Sequence, residues 1–280
     1  MVWHLSTLPA GGSMSIQIRH HVRVAGDGAA TMVFIHGFGC DQTMWRFLAP
    51  ACESRFRTVT YDLVGSGQSD LSAYDRAKYA SLHGHAADLL EILDAIDAGP
   101  VVVVGHSVGA MIGMLATIAA PQRFAAQVMV SPSPCYINDG HYMGGFTRED
   151  IDGLIDTMDE NYLDWSNSMA PMIMGAPNQP QLSEELAARF RHNEPAIARH
   201  FARTTFYADH RADVARSTVP ALILQCSDDL IAPRPVGDWL LRHLPHSSLQ
   251  VVRNVGHCPH MSAPTESSRA IDAFLAQTLR

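Results

Sequence analysis

The stretch VVVVGHSVGAMIGMLA, from Val101 to Ala116, constrains the fold more than any other part of the chain. The β-branched run Val101 to Val104 reads as a strand buried on both faces, as strands of parallel sheets are. The apolar run from Val108 onward is rich in small residues and meets no breaker until Pro121, so it reads as a buried helix. Between them, Gly105-His106-Ser107-Val108-Gly109 matches G-x-S-x-G, a sharp strand-to-helix turn that projects a serine hydroxyl from the top of a sheet. A side chain at either glycine would collide with the neighbouring strand or helix, and the serine takes a strained backbone conformation. The helix N-terminus beside it favours developing negative charge. The five-residue pattern alone is weak. The strand before it and the helix after it make it specific.

Val101 to Ala120 is also about long enough to cross a membrane. The glycines, His106 and Ser107 in its middle, with no flanking basic residues or aromatic belt, speak against a span. A chain of 280 residues, 47% hydrophobic and 17% charged, accommodates one large α/β domain with an insertion. The formal net charge of −8 and the lack of a basic cluster exclude a nucleic-acid partner. Cys40, Cys52, Cys135, Cys226 and Cys258 are odd in number, scattered and without a C-x-x-C, as expected of reduced thiols in a cytoplasmic protein. The fifteen histidines form no metal-ligand spacing, so no metal or cofactor is expected. The opening MVWHLSTLPAGGSMS lacks a basic n-region and a continuous apolar core. It reads as a flexible extension over 1–15, or as an upstream start ahead of Met14.

Along the chain, Ile16 to Val24 reads as an edge or antiparallel strand and Thr31 to Ile35 as a buried one that runs into His36-Gly37-Phe38-Gly39. A helix is expected around Thr43 to Pro50, a strand over Arg57 to Tyr61, and an amphipathic helix over Tyr79 to Asp97, where Leu82, Ala86, Leu89, Leu90, Leu93 and Ile96 share a face. Ala126 to Val130 makes a further strand. This alternation predicts an α/β fold, a mostly parallel central sheet with helices on both faces. From Pro134 to Phe206 the rhythm breaks into helical stretches (Arg148 to Glu160, Tyr162 to Ser168, Ser183 to His192, Pro195 to Phe206). That segment, 134–206, reads as an inserted helical cap on a core formed by 16–133 and 207–280. The rhythm resumes with a helix over Arg211 to Arg216, a strand over Ala221 to Cys226, a helix over Pro235 to Leu244, a strand over Leu249 to Arg253 and a helix over Thr265 to Leu279.

A serine is a poor nucleophile at neutral pH and needs a base, with a carboxylate to orient that base. The order for this architecture is serine, acid, histidine, the last two on loops after late strands. The loop after ALILQC holds Asp228 and Asp229; the loop after LQVVRN holds His257 and His260. Asp229 is preferred on the D-x-x-x-P shape of its loop, leaving Asp228 as a solvated turn residue. His257 is preferred because it directly follows Gly256 at the strand exit. His36 and His106 read as structural hydrogen-bonding residues. For the oxygen of a tetrahedral intermediate, Val108 N–H is one donor by position and Phe38 the expected second; a plain tight turn is the alternative for H-G-F-G. Tyr136, Phe146, Trp165, Met169 and Phe206, with Leu230 and Ile231 after the acid, are expected to line a closed apolar cavity over Ser107 suited to a small, mostly apolar ligand.

The segments HGFGCDQTMW, YDLVGSGQSDL, GHSVGAMIGMLA, SPSPCYIND, GGF, DHRADV, LQCSDDLIAP and GHCPHMS resemble the α/β-hydrolase family that contains the bacterial stress-response regulator RsbQ and the plant karrikin and strigolactone receptors. They are more similar to RsbQ than to the plant proteins. The resemblance covers nearly the whole chain from about His20. It implies an α/β-hydrolase fold, a triad of Ser107, Asp229 and His257, an oxyanion hole from the Phe38 and Val108 amides, a four-helix cap, and Tyr136, Phe146 and Phe206 facing the cavity. Met169 stands where the karrikin receptors have an aromatic residue, so their ligand preference does not carry over. For RsbQ-like proteins it further implies slow hydrolysis coupled to sensing of a small hydrophobic molecule and a PAS-domain phosphatase as partner. The competing expectations are an ordinary metabolic carboxylesterase or carbon–carbon bond hydrolase with no protein partner, and a binding module that has lost catalysis. Fold alone does not choose among them.

Overall fold

A computed structural model describes residues 15–279; the extension expected over 1–15 lies, but for Ser15, outside the described residues. The short helix α1 (Ile16–Arg19) and β1 (Arg23–Ala25) precede β2 (Ala30–Ile35), and α2 (Ala49–Cys52) precedes β3 (Phe56–Thr60). Next come α3 (His83–Ala95), β4 (Val101–His106), α4 (Val108–Ala119) and β5 (Phe124–Val130). Four helices follow without a strand between them: α5 (Arg148–Glu160), α6 (Tyr162–Met174), α7 (Pro180–His192) and α8 (Pro195–Phe206). The chain closes with α9 (Arg211–Val214), β6 (Ala221–Asp228), α10 (Arg234–His243), β7 (Ser247–Val255), α11 (Pro259–Ser262) and α12 (Pro264–Thr278).

The seven strands form one sheet in the order β1-β3-β2-β4-β5-β6-β7. All neighbours are parallel except β1, which pairs antiparallel with β3. β4 lies in the middle and is buried along its whole length, as its unbroken apolar run requires. Alternate residues of the strands feed two cores. Val33, Val101 and Val103 pack under α3 and α4. Met32, Phe34, Val102 and Val104 pack on the other face with Trp45 and the α12 residues Ile271 and Leu275. A third core, with Ile155, Trp165, Leu186 and Phe190, belongs to α5–α8 and meets the loops of the sheet at Cys40, Tyr136 and Cys258.

Several expected element boundaries need correction. Ile16 to Val24 is not one strand: α1 occupies its first half, and His21 has φ +45°, a left-handed backbone that a strand cannot contain. The turn lets His20 bury completely, where its carbonyl accepts from the Asp62 N–H. Thr43 to Pro50 is likewise two pieces, a 3-10 turn at Gln42–Trp45 and α2, because Pro50 lacks an N–H and is accommodated in a first turn. The amphipathic helix begins at His83 rather than Tyr79, since Ser81 is fully extended (φ −144°, ψ 162°). The α6 helix runs past Ser168 to Met174 and carries Pro171 inside it. The stretch considered as a membrane span is β4 and the twelve-residue α4. Among the described residues no helix is long and apolar enough to cross a membrane.

Candidate active site

Ser107 connects β4 to α4 and has φ +55° and ψ −122°, a conformation that non-glycine residues rarely adopt. Its N–H donates to the Val130 carbonyl at 2.8 Å, which ties the turn to β5. Both flanking glycines are sterically required. A Cβ on Gly105 would lie 2.3 Å from the Gly109 carbonyl oxygen, and one on Gly109 would lie 2.5 Å from the Ile35 carbonyl oxygen. The hydroxyl is therefore held against the C-terminal ends of β2 and β4, where parallel α/β sheets place their ligands.

Two loops from the far side of the sheet complete the arrangement. His257 Nε2 lies 2.8 Å from Ser107 Oγ, and its Nδ1 lies 2.8 Å from Asp229 Oδ2. A carboxylate only accepts, so Nδ1 carries the proton and Nε2 is free to receive one from Ser107. The second oxygen of Asp229 accepts the N–H groups of Ile231 (2.8 Å) and Ala232 (3.1 Å), which fixes the carboxylate's direction. Asp228, the last residue of β6, is exposed; its carbonyl accepts from the Gly256 N–H at 2.8 Å. His257 is set in turn by its own backbone: its N–H donates to the Ile173 carbonyl of α6 and its carbonyl accepts from His106 Nε2 at 2.9 Å.

The neighbouring histidines are structural. His36 donates from Nδ1 to the Gly37 carbonyl at 2.9 Å and accepts the Leu63 N–H at Nε2, 3.0 Å away. His106 sits between His257 and His260, with ring centroids 5.0 and 4.3 Å distant. Burial holds His106 well below the ordinary histidine range and pushes His260 down to about 3, so both rings stay neutral beside His257. A Cβ on Gly37 would lie 2.6 Å from His106 Nδ1, so the H-G-F-G loop packs directly on the turn that carries Ser107. Val108 is the first residue of α4, and its N–H has no acceptor within the helix. Among the described residues the Phe38 N–H also donates to no acceptor.

Ser107 is only 6% exposed and opens onto an enclosed cavity of about 30 Å³. That is room for about two waters. Tyr136, Phe146, Met169, Phe206 and Ile231 line it. The Tyr136 hydroxyl lies 3.4 Å from Ser107 Oγ; burial pushes this phenol up to about 12, so it stays protonated. Cys40 and Cys258 also reach the cavity. Burial raises Cys40 to about 12 and Cys258 well above the ordinary thiol range, so both stay protonated thiols.

The description "Alpha/beta hydrolase family" fits a model matched by residues 32–270. The chain belongs to the Alpha/beta hydrolase family. This hydrolase is 38% identical to a karrikin insensitive 2 receptor of Petunia hybrida, over 87% of this chain and 89% of that protein. It is 34% identical to a strigolactone esterase of Pisum sativum, over 92% of this chain and 97% of that one. Among solved structures, a hydrolase from Oleispira antarctica superposes with a TM-score of 0.91 at 38% identity, covering 94% of this chain and 96% of that chain.

Two expected pocket residues of the hydrolase lie elsewhere. Leu230 is 62% exposed: the chain bends after Asp229, whose carboxylate accepts the Ile231 and Ala232 N–H groups, and Leu230 stands on the outside of that bend. Trp165 is buried but stands behind the cavity wall, packed on Phe190 (5.3 Å) and edge-on to Phe38 (6.1 Å), whose rings occupy the lining position instead. Sequence reasoning missed Leu154, Ile173, Leu186, Phe190 and Thr205, which all line the cavity. Helical spacing carried part of the signal, since Leu182, Leu186 and Phe190 share the buried face of α7. Thr205 left no such signal.

Proposed function

We propose that this protein is a serine hydrolase of the Ser-His-Asp type acting on a small, mostly apolar ester or lactone, with slow acyl transfer coupled to sensing. The observation that carries the reading is the continuous chain from Ser107 Oγ through His257 to Asp229 at the floor of an enclosed apolar cavity. In the first half-reaction His257 Nε2 takes the Ser107 proton as Oγ attacks the carbonyl carbon. The oxyanion is held by the Val108 and Phe38 N–H groups. The intermediate collapses when His257 returns the proton to the leaving alcohol. In the second half, His257 takes a proton from water as its oxygen attacks the acyl-serine; the second intermediate then expels Ser107 Oγ, which takes that proton back from His257 as the acid departs. Asp229 keeps the imidazole in the required tautomer and stabilises its charged form.

The helices α5–α8 act in this reading as a cap that must yield to admit substrate, because the space above Ser107 is too small for anything larger than a few atoms. A cap whose position depends on a ligand can be read by a partner, and that supports coupling to signalling. Relatives named as a strigolactone esterase and as a karrikin receptor support the same pairing of roles. The motif likeness to RsbQ adds the finer proposal of a PAS-domain phosphatase partner. Five buried free thiols support a reducing, cytoplasmic setting.

Replacing Ser107 with alanine is expected to lower kcat/KM on p-nitrophenyl acetate by about 10⁴-fold or more and to abolish the acylation burst, with the melting temperature retained. A full burst from that variant overturns the reading. Turnover on the order of 10 s⁻¹ on short acyl esters, with no phosphatase retained in a ligand-dependent pull-down, selects the ordinary carboxylesterase instead.

A further inference from the structure

Thr204 and Thr205 stand side by side near the end of α8, and their hydroxyls are used differently. Thr204 Oγ1 lies 3.1 Å from the His200 carbonyl oxygen and 3.2 Å from that of Tyr79, the usual back-bonding of a helical threonine. Thr205 is 1% exposed, and its Oγ1 has no hydrogen-bond partner among the described residues. It lines the cavity above Ser107. The cap contributes apolar side chains to the same wall, including Phe146, Leu154, Met169 and Phe190. A valine would fill the volume of Thr205 without leaving a buried polar atom unpaired, and an unpaired buried hydroxyl is unfavourable. The hydroxyl is therefore accounted for if a bound molecule completes its hydrogen bond.

We infer that Thr205 is a specificity-determining residue that donates a hydrogen bond to a second oxygen of the substrate, separate from the scissile ester. Ester, ether and ketone oxygens only accept, so the threonine supplies the proton. The substrate class is then a small oxygenated ester or lactone, with apolar surface against the cap and one further acceptor facing α8. A plain alkyl acyl chain of equal size leaves the hydroxyl unpaired and is discriminated against. This rests on the hydrolase reading of Ser107 and narrows it.

The test uses two pairs of p-nitrophenyl esters that exchange a methylene for an ether oxygen, butanoate with methoxyacetate and pentanoate with 3-methoxypropanoate. In Thr205→Val the preference for the oxygenated member, taken as a ratio of kcat/KM values, is expected to fall about tenfold in at least one pair. That is the worth of one neutral hydrogen bond. The intrinsic reactivity of each ester cancels in that comparison. Thr205→Ser, which keeps the hydroxyl, is expected to restore the preference to within about twofold. A ratio that moves less than twofold in both pairs, or a serine variant that behaves like valine, overturns the inference.

The same four intact esters are titrated by calorimetry into Ser107→Ala with and without Thr205→Val, so that the hydroxyl is read independently of turnover. Loss of selective binding on adding Thr205→Val supports the inference even where wild-type protein hydrolyses none of the esters, an outcome that removes the hydrolase reading alone. Equal binding of both members of each pair to Ser107→Ala with Thr205 intact overturns the inference and leaves the hydrolase reading in place.

Discussion

In the sheet core, Ser107, Asp229 and His257 stand on turns that directly follow parallel strands, and each of their polar side-chain atoms has a partner within 3.1 Å. In α5–α8 the side chains that line the same cavity are aromatic and aliphatic apart from Thr205, whose buried Oγ1 has no hydrogen-bond partner among the described residues. The Arg203–Asp159 ion pair of this region lies on its outside. The contrast separates two tasks. Backbone hydrogen bonds of a parallel sheet hold reacting atoms within tenths of an ångström, which proton transfer needs. Helices packed by apolar side chains can shift and be resubstituted without disturbing that geometry, which suits selection of a ligand.

The two regions meet at several places, among them the Arg189–Asp41 ion pair and the Asn193 side chain on the Gly39 carbonyl, and one seam lies beside His257. The Val255 carbonyl accepts from Ala176 N–H at 3.0 Å, and the His257 N–H reaches the Ile173 carbonyl at 2.8 Å. Gly175 and Gly256 make this approach possible: a Cβ on Gly256 would lie 1.9 Å from the Met174 carbonyl oxygen. Near the end of α6 the Ile173 carbonyl thus accepts from the loop that carries His257, and the Ala176 N–H just beyond the helix donates to the strand before it.

The sharpest way to break the division is at the acid. Asp229→Asn is expected to lower kcat/KM by about 10³–10⁴-fold, while Asp228→Asn changes it less than about twofold. Steady-state kinetics on one ester checks both, and equal losses would mean that the strand end does not hold the carboxylate as described. A smaller effect is expected at the seam. Gly256→Ala forces apart backbone atoms from the two regions and should destabilise by about 3 kcal/mol, a fall of roughly 6 °C in melting temperature for a chain of this size. An unchanged melting curve would show that the cap is not anchored there.

The smallest effect concerns His85 of α3, which stacks on Tyr79 (4.4 Å) and meets Phe201 of α8 edge-on (5.1 Å). Neither ring nitrogen has a partner among the described residues, and burial pushes its pKa down from 6.5 to about 3. Between those values the unfolded chain binds more protons than the folded one, so this group's contribution to stability falls as pH drops from about 6.5 toward 3. At pH 5 that loss is about 2 kcal/mol. His85→Phe keeps the ring contacts and removes the titration. Urea unfolding at pH 7 and pH 5 should show about 2 kcal/mol less acid loss in the variant, and an identical loss would assign the acid sensitivity to other groups.

Much of this was legible along the chain where a local rule had no competitor. The helices Arg148–Glu160 and Pro195–Phe206 begin and end where their caps, Thr147 and Glu194, and their apolar spacing place them. Elements whose ends depend on distant contacts were not legible. The segment from Ile16 to Val24 alternates like a strand, but burial of His20 against Tyr61 imposes the turn. Trp165 and Leu230 have the composition of pocket residues; which of two adjacent apolar layers faces a cavity depends on the rings packed in front of them.

By itself the sequence determined the parallel α/β order, the strained serine turn and the chain order of the groups brought to it. These follow from β-branched runs, glycines that admit no side chain and turn residues, all of which act within a few residues. Only the tertiary structure decided that Phe190 rather than Trp165 walls the cavity and that the Thr205 hydroxyl is left unpaired. Those outcomes depend on hydrogen-bond directions and packing between elements far apart in the chain, which no local pattern of residues encodes.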